Sequence, residues 1–246
     1  MDVLEASFAQ DFVRMADDGW KMGWHECNGG NLSYRIPEDE LFQVEDSLNE
    51  GAWHDLAGGV RVPELAGEHF LITAAGSHFR NMTTYPRRCM GIIQVGPEGR
   101  TYRKRWGFDE GGNPTSELPS HLLNHEVKKK ATGGANRVIY HAHPANTIAM
   151  TFALPHDGDA FTRALWSTIA ECKLVFPNGV GVLEFMEPGS VELGQASADV
   201  MEHRDAVVWV HHGVFCAGDS LDDAFGLMHT IEKASEILVK AKSMGM

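Results

Sequence analysis

Long apolar runs are missing from this 246-residue chain, and no stretch approaches the roughly 18 consecutive apolar residues that a membrane-spanning helix needs. The opening Met1-Asp2-Val3-Leu4-Glu5 also lacks the basic start and apolar core of a secretion signal, so a soluble, cytoplasmic protein is expected. Basic residues are in short supply, 21 against 34 acidic ones, for a net charge of −13. A nucleic-acid surface would need the opposite balance, and no such partner is expected. Cysteine is sparse: Cys27, Cys89, Cys172 and Cys216 lie far apart and form no CxxC, which excludes a zinc ribbon or a redox dithiol and leaves four reduced thiols. Repeats, low-complexity tracts and linkers are absent as well. The acidic excess would repel an anionic substrate unless its pocket were locally positive, and a divalent metal would supply that charge.

What is present is a 43% apolar composition, ample for a core, and a succession of strand and helix signals. Residues 5–24 read as an amphipathic helix with Phe8, Phe12, Met15 and Trp20 on its core face. Asn28-Gly29-Gly30-Asn31 breaks it before a strand over 32–36, and residues 37–68 read as an exposed insertion or loop with short hairpin pieces. Strands follow at 69–74, at 91–95 with 101–106 as a hairpin, near 138–143, at 180–185 and near 206–217. Helices are expected at 116–130, 145–154, 159–171, 191–203 and from Leu221 onward, the last carrying Lys240 and Lys242 at the negative end of its dipole. The economical reading is one α/β domain over 1–246, a central mainly antiparallel sheet flanked by helices.

Thirteen histidines are the conspicuous surplus. His141 and His143 alternate on a strand and point the same way, close enough to share an ion, though the pair alone is equally what two polar residues at a strand end look like. A third imidazole could come from the end of the run Ala206–Val210, where His211 and His212 are neighbours and face opposite ways on a strand. Gly213, which lets backbone approach a ligand, favours His212. Three protein ligands leave a position open, the mark of a catalytic rather than a structural zinc site, and cobalt, manganese or iron would suit the same nitrogens. His121 and His125 share a helical face at the spacing of metalloproteases, but no Glu follows His121, so the peptidase motif is absent.

Glu117, in the first turn of a helix, is explained equally by the dipole and by a proton-transfer role, which would require the metal beside it. Three turns could together surround one phosphate: Asn28-Gly29-Gly30-Asn31, Ala74-Ala75-Gly76-Ser77, and Thr115-Ser116 at a helix start. Glu171 reads from the residues alone as a solvated helix-end charge.

These segments carry a likeness. Asn28-Gly29-Gly30-Asn31, Pro114-Thr115-Ser116-Glu117-Leu118-Pro119, His141-Ala142-His143 and His212-Gly213-Val214-Phe215, in this order and spacing, resemble the class II aldolase/adducin family. Further matches at Thr162–Trp166, Val175–Gly181 and Leu221–Leu227 extend the likeness from about Trp20 into the last helix. The resemblance implies a retro-aldol reaction, with L-rhamnulose 1-phosphate cleaved to dihydroxyacetone phosphate and L-lactaldehyde. It implies zinc, one ion per chain, on His141, His143 and His212, with Glu117 as the acid/base. It matches Asn28, Gly29, Asn31, Thr115 and Ser116 to the phosphate pocket, to which the turn reading adds Gly76 and Ser77. Glu171 matches a carboxylate lent to a neighbouring subunit's site, which implies a homotetramer. Ala74-Ala75-Gly76 stands where a Gly-Ser-Gly turn is expected, so one phosphate-holding hydroxyl is lost unless Ser77 or backbone amides replace it. The sequence ends at Ser243–Met246 where the family pattern implies a further segment. A related sugar-phosphate epimerase or dehydratase, or a non-catalytic adducin-like module, is the alternative. The module has no need of all three histidines and Glu117.

Overall fold

The computed structural model describes residues 1–245. Its first half runs α1 (Ser7–Lys21), β1 (Asn31–Ile36), α2 (Glu38–Val44), β2 (Trp53–Asp55), β3 (His69–Thr73), α3 (Pro86–Cys89), β4 (Met90–Val95) and β5 (Thr101–Gly107). Then come α4 (Leu118–Thr132), β6 (Val138–Ala142), α5 (Ala145–Met150), α6 (Gly158–Trp166) and α7 (Cys172–Val175). The chain closes with β7 (Gly181–Leu183), α8 (Val191–Met201), β8 (Ala206–Trp209), β9 (Gly213–Gly218) and α9 (Leu221–Ser243). The strands form a nine-stranded sheet in the order β2-β5-β4-β3-β1-β6-β9-β8-β7, parallel only between β7 and β8. That is the α/β, mainly antiparallel architecture the sequence leads one to expect.

Strand alternation deals the side chains to two faces. Leu71, Ile92, Val138, Tyr140, Val208 and Val214 pack with residues of α1, α5, α6 and α9. Their neighbours Phe70, Ile72 and Ile93 pack with Leu118 and Leu122 of α4, and Ile139, Val207, Trp209 and Phe215 with Leu193 and Met201 of α8. Helices therefore cover both faces. On α1 the buried stripe is Phe8, Phe12 and Met15 and continues through Gly19, while Trp20 is 41% exposed, contrary to expectation. Twelve residues on from Phe8, at 3.6 per turn, Trp20 stands about 120° off that stripe.

Residues 37–68 are not an exposed insertion. They contain α2 and the edge strand β2, and their Leu56, Val60, Val62 and Leu65 are buried against Phe70, Ile72, Ile93 and Val95. These apolar residues follow no helical or strand period, which hides their burial from pattern reading. The helices expected at 145–154 and 159–171 stop early, at Met150 and Trp166. Thr151 donates its hydroxyl to the Ile148 carbonyl, and Ser167 and Thr168 to those of Ala164 and Leu165, which competes with helix continuation. The helix expected from 116 starts at Leu118, with Glu117 at its N-cap rather than in its first turn. Lys240 and Lys242 do lie in the last turn of α9.

Two devices position the segment after β6. α5 has no side-chain cap of its own, and Glu232 from α9 accepts from the backbone N–H groups of Asn146 (3.1 Å) and Thr147 (2.9 Å) instead. The His143 N–H donates to the Trp24 carbonyl at 2.9 Å, tying that turn to the loop after α1.

Several buried histidines make stability depend on pH. Burial pushes His25 and His121 down to about 3 and His69 to about 4. In the unfolded chain each titrates near an ordinary ~6.5, so between these values the unfolded state binds more protons. Stability is therefore intact above about pH 6.5 and is lost as the pH falls from there toward 4, by up to ~1.4 kcal/mol per pH unit for each group. A urea midpoint at pH 5 well below that at pH 7.5 is the expected result, and equal midpoints would contradict it.

Candidate active site and metal centre

Sheet register assembles the site. Asn31, the first residue of β1, pairs with His141 of β6, which pairs in turn with Phe215 of β9. The turn entering β9 carries His212, and one ring nitrogen each of His141, His143 and His212 lies within 4.8 Å of the others. His141 Nε2 and His143 Nε2 are 3.2 Å apart. Gly213 permits this packing, because a Cβ there would stand 3.0 Å from both the His141 and His143 rings. His212 is chosen over His211 by the turn, not by strand alternation. Both residues lie between β8 and β9, and His211, at φ 57°, turns away to pack its ring 4.1 Å from that of Phe152.

Each imidazole is oriented by a neighbour. The His141 Nδ1 bonds the Val214 carbonyl at 2.9 Å, which fixes the proton on Nδ1 and leaves Nε2 as a lone pair. His143 Nδ1 faces Glu26 Oε1 at 2.6 Å. Trp209 lies beside both His141 and His212, with ring centroids 4.6 and 5.1 Å away. Burial holds His141 well below its ordinary value and His212 at about 4, so both rings are neutral at neutral pH, the form that binds a metal. The His212 Nδ1 is buried without a hydrogen-bond partner. Three imidazoles with converging nitrogens and one orphaned ring atom fit a divalent ion with a position left open.

Glu117 sits beside this cluster, 6% exposed. Burial raises its carboxyl above the ordinary carboxylate range, opposed by the Asn31 Nδ2–H donated to its Oε2 at 2.9 Å and by nearby His143. A buried carboxyl with a raised affinity for protons, next to a cation site, is suited to exchanging a proton with substrate.

Comparison with known proteins places this geometry. The family model for the Class II Aldolase and Adducin N-terminal domain matches residues 10–239. The chain belongs to the class II aldolase/adducin family. Within it the chain is an aldolase, a lyase. It is 42% identical over 243 residues to a rhamnulose-1-phosphate aldolase of Klebsiella pneumoniae subsp. pneumoniae, spanning 99% of this chain and 88% of the relative. A rhamnulose-1-phosphate aldolase of Mannheimia succiniciproducens is 43% identical over 244 residues, covering 99% and 89%. Among solved structures, a sugar-phosphate aldolase from Thermotoga maritima superimposes with a TM-score of 0.81 at 29% identity, over 97% of this chain and 96% of that one.

Of the remaining expected residues of this class II aldolase, the turn and helix-start residues are linked to this corner and Glu171 is not. A bridge between Ala74 and Pro114 and the Thr115 N–H bond to the Thr73 carbonyl join the 74–77 turn to Thr115 and Ser116. Gly29 lies against the His143 ring, and Asn28 is exposed beside it. The Ser77 hydroxyl donates to the Ala74 carbonyl at 2.7 Å, so it closes its own turn rather than standing free to replace the missing hydroxyl. Glu171 is exposed at the start of α7, and no hydrogen bond among the described residues joins its side chain to the cluster. Two residues escaped sequence reading. Glu26 orients His143, and His25 bonds the Gly29 carbonyl through Nδ1 (3.1 Å) and Tyr140 through Nε2 (2.7 Å), anchoring the glycine turn. Neither sits in a motif, and only their closeness to Asn28 could have drawn notice.

Proposed function

We propose that this protein is a zinc-dependent aldolase that cleaves L-rhamnulose 1-phosphate to dihydroxyacetone phosphate and L-lactaldehyde. The observation that carries the reading is the convergence of three imidazoles with the buried Glu117 in one corner of a fold shared with rhamnulose-1-phosphate aldolases. His141, His143 and His212 are the residues that would hold the ion. When bound, zinc supplies a Lewis acid that stabilises the negative charge left beside the carbonyl as the carbon-carbon bond breaks.

The protein's own groups do the rest. In cleavage the C3–C4 bond of the ketose breaks, the C4 hydroxyl passes its proton to the Glu117 carboxylate as that carbon becomes the aldehyde, and the electron pair stays with C3. Glu117 delivers the proton that C3 takes up to give dihydroxyacetone phosphate, and in the reverse direction it removes that proton. Its burial raises the affinity of the carboxylate for that proton above the ordinary carboxylate range. The 1-phosphate is held by the turn at Asn28 and Gly29, by Thr115 and Ser116, and by backbone amides around Gly76. Glu171, exposed on α7, reaches the site of a neighbouring subunit in a homotetramer, and the enzyme works in the cytoplasm. The test is incubation of zinc-loaded protein with L-rhamnulose 1-phosphate. Equimolar dihydroxyacetone phosphate and L-lactaldehyde are expected, and an intact substrate would refute the assignment.

A further inference from the structure

A line of buried polar groups runs from Glu117 away from the histidine cluster into the space between β1 and α4. Asn31 and Ser33, two apart on a strand, share one face; His121 and His125, four apart on a helix, share another, and the two faces meet. Asn31 Nδ2 bonds Glu117 Oε2 at 2.9 Å, and Asn31 Oδ1 bonds His121 Nε2. His121 Nδ1 is 2.6 Å from Ser33 Oγ, which is 2.8 Å from His125 Nε2. Asn31 and Glu117 are each 6% exposed, and Ser33, His121 and His125 at most 1%.

Proton counting leaves this line a single direction. A carboxylate can only accept, so the Asn31 amide presents N–H to Glu117 and its oxygen to His121. That oxygen requires a proton on His121 Nε2. Burial keeps the ring neutral, so Nδ1 is a lone pair and the Ser33 hydroxyl must donate to it. Ser33 has then spent its one proton and can only accept from His125 Nε2–H, on a second ring that burial keeps neutral. Four bonds form one donor chain, His125 to Ser33 to His121 to Asn31 to Glu117, each strengthening the next.

We infer that Ser33 and His121 are positioning residues for the acid/base step, locking the Asn31 amide so that its N–H holds Glu117 Oε2 and leaves Oε1 for the reacting carbon. The inference rests on the aldolase reading above and gives Asn31 a task other than touching phosphate. Without His121 the Asn31 amide loses the partner that sets its orientation and can turn its oxygen toward Glu117, repelling the carboxylate.

The test combines kinetics and spectroscopy on zinc-loaded protein with L-rhamnulose 1-phosphate. In His121→Leu kcat is expected to fall roughly tenfold to a hundredfold, the worth of a hydrogen bond to a charged group, with KM and zinc content unchanged. Ser33→Ala, a smaller change less able to disturb folding, shifts kcat in the same direction by less. His121→Gln, which restores an N–H near the Nε2 position, recovers most of the loss; a merely structural role for the ring would not give this split or this rescue. In histidine-labelled wild type, nitrogen NMR is expected to show His121 and His125 as neutral Nε2–H tautomers. Nδ1–H tautomers, or an unchanged kcat in folded, zinc-loaded His121→Leu, would overturn the proposal while the aldolase reading stands. An inactive zinc-loaded wild type would defeat that reading, and the proposal with it.

Discussion

Glu117→Ala is expected to lose nearly all turnover while remaining folded and loaded with metal. General acid–base catalysis by a positioned side chain is worth about 10²–10⁴-fold, and among the described residues of the chain the other carboxylate hydrogen-bonded at the cluster, Glu26, is engaged with His143 and two-thirds exposed. Glu117→Gln should fail to the same extent, because its amide fills the space and cannot exchange a proton. Glu117→Gln should keep the stability of the wild type, since it removes the desolvation cost of a buried carboxyl and retains an oxygen for the Asn31 N–H, whereas Glu117→Ala leaves that buried donor unpaired at a cost of about 1–3 kcal/mol. Melting temperatures and metal content measured beside kcat separate this outcome from simple unfolding. A variant that keeps a tenth or more of the wild-type rate would remove Glu117 from the reaction.

His141→Ala is expected to remove metal and activity together. His141 is 1% exposed, its Nδ1 is held by Val214 and its Nε2 faces His143, so the substitution deletes a preoriented donor and leaves two ligands. Metal analysis of the purified variant should find little zinc, and added zinc should not raise its melting temperature. For the wild type, free zinc at 100 times its dissociation constant would stabilise the fold by about 2.7 kcal/mol, and a chelator would reverse it. Full zinc occupancy in His141→Ala would show that the ion sits elsewhere.

The histidine cluster was legible in part because a strand has a simple rule: His141 near the end of β6 and His143 just past it, two apart on extended chain, point the same way. His212 joins these two rings from a turn, where strand alternation does not apply and the backbone, with His211 at positive φ, sorts the neighbours, while Gly213 admits the close approach. His121 and His125 were visible as a helical pair, but only the pairing of β1 beside α4 shows that they meet Ser33 and Asn31 rather than a metal. Sequence periodicity reports which residues share a face, not which other face they meet. The same limit explains Trp20, one turn-fraction off its stripe, and the buried aperiodic residues of 37–68. The carbonyl and carboxylate that orient the His141 and His143 rings, from Val214 and Glu26, belong to no pattern and emerge only from tertiary contact.

The most direct test of the central claim, that the histidine cluster and Glu117 form one proton-transferring site, needs no aldehyde. Zinc-loaded wild type is incubated with dihydroxyacetone phosphate in deuterated water and exchange at the carbon-bound hydroxymethyl protons is followed by NMR. The account predicts exchange of one of the two protons, abolished by chelation and absent from zinc-loaded Glu117→Ala. Exchange that persists in that variant, or a zinc-loaded wild type that exchanges nothing, would contradict it.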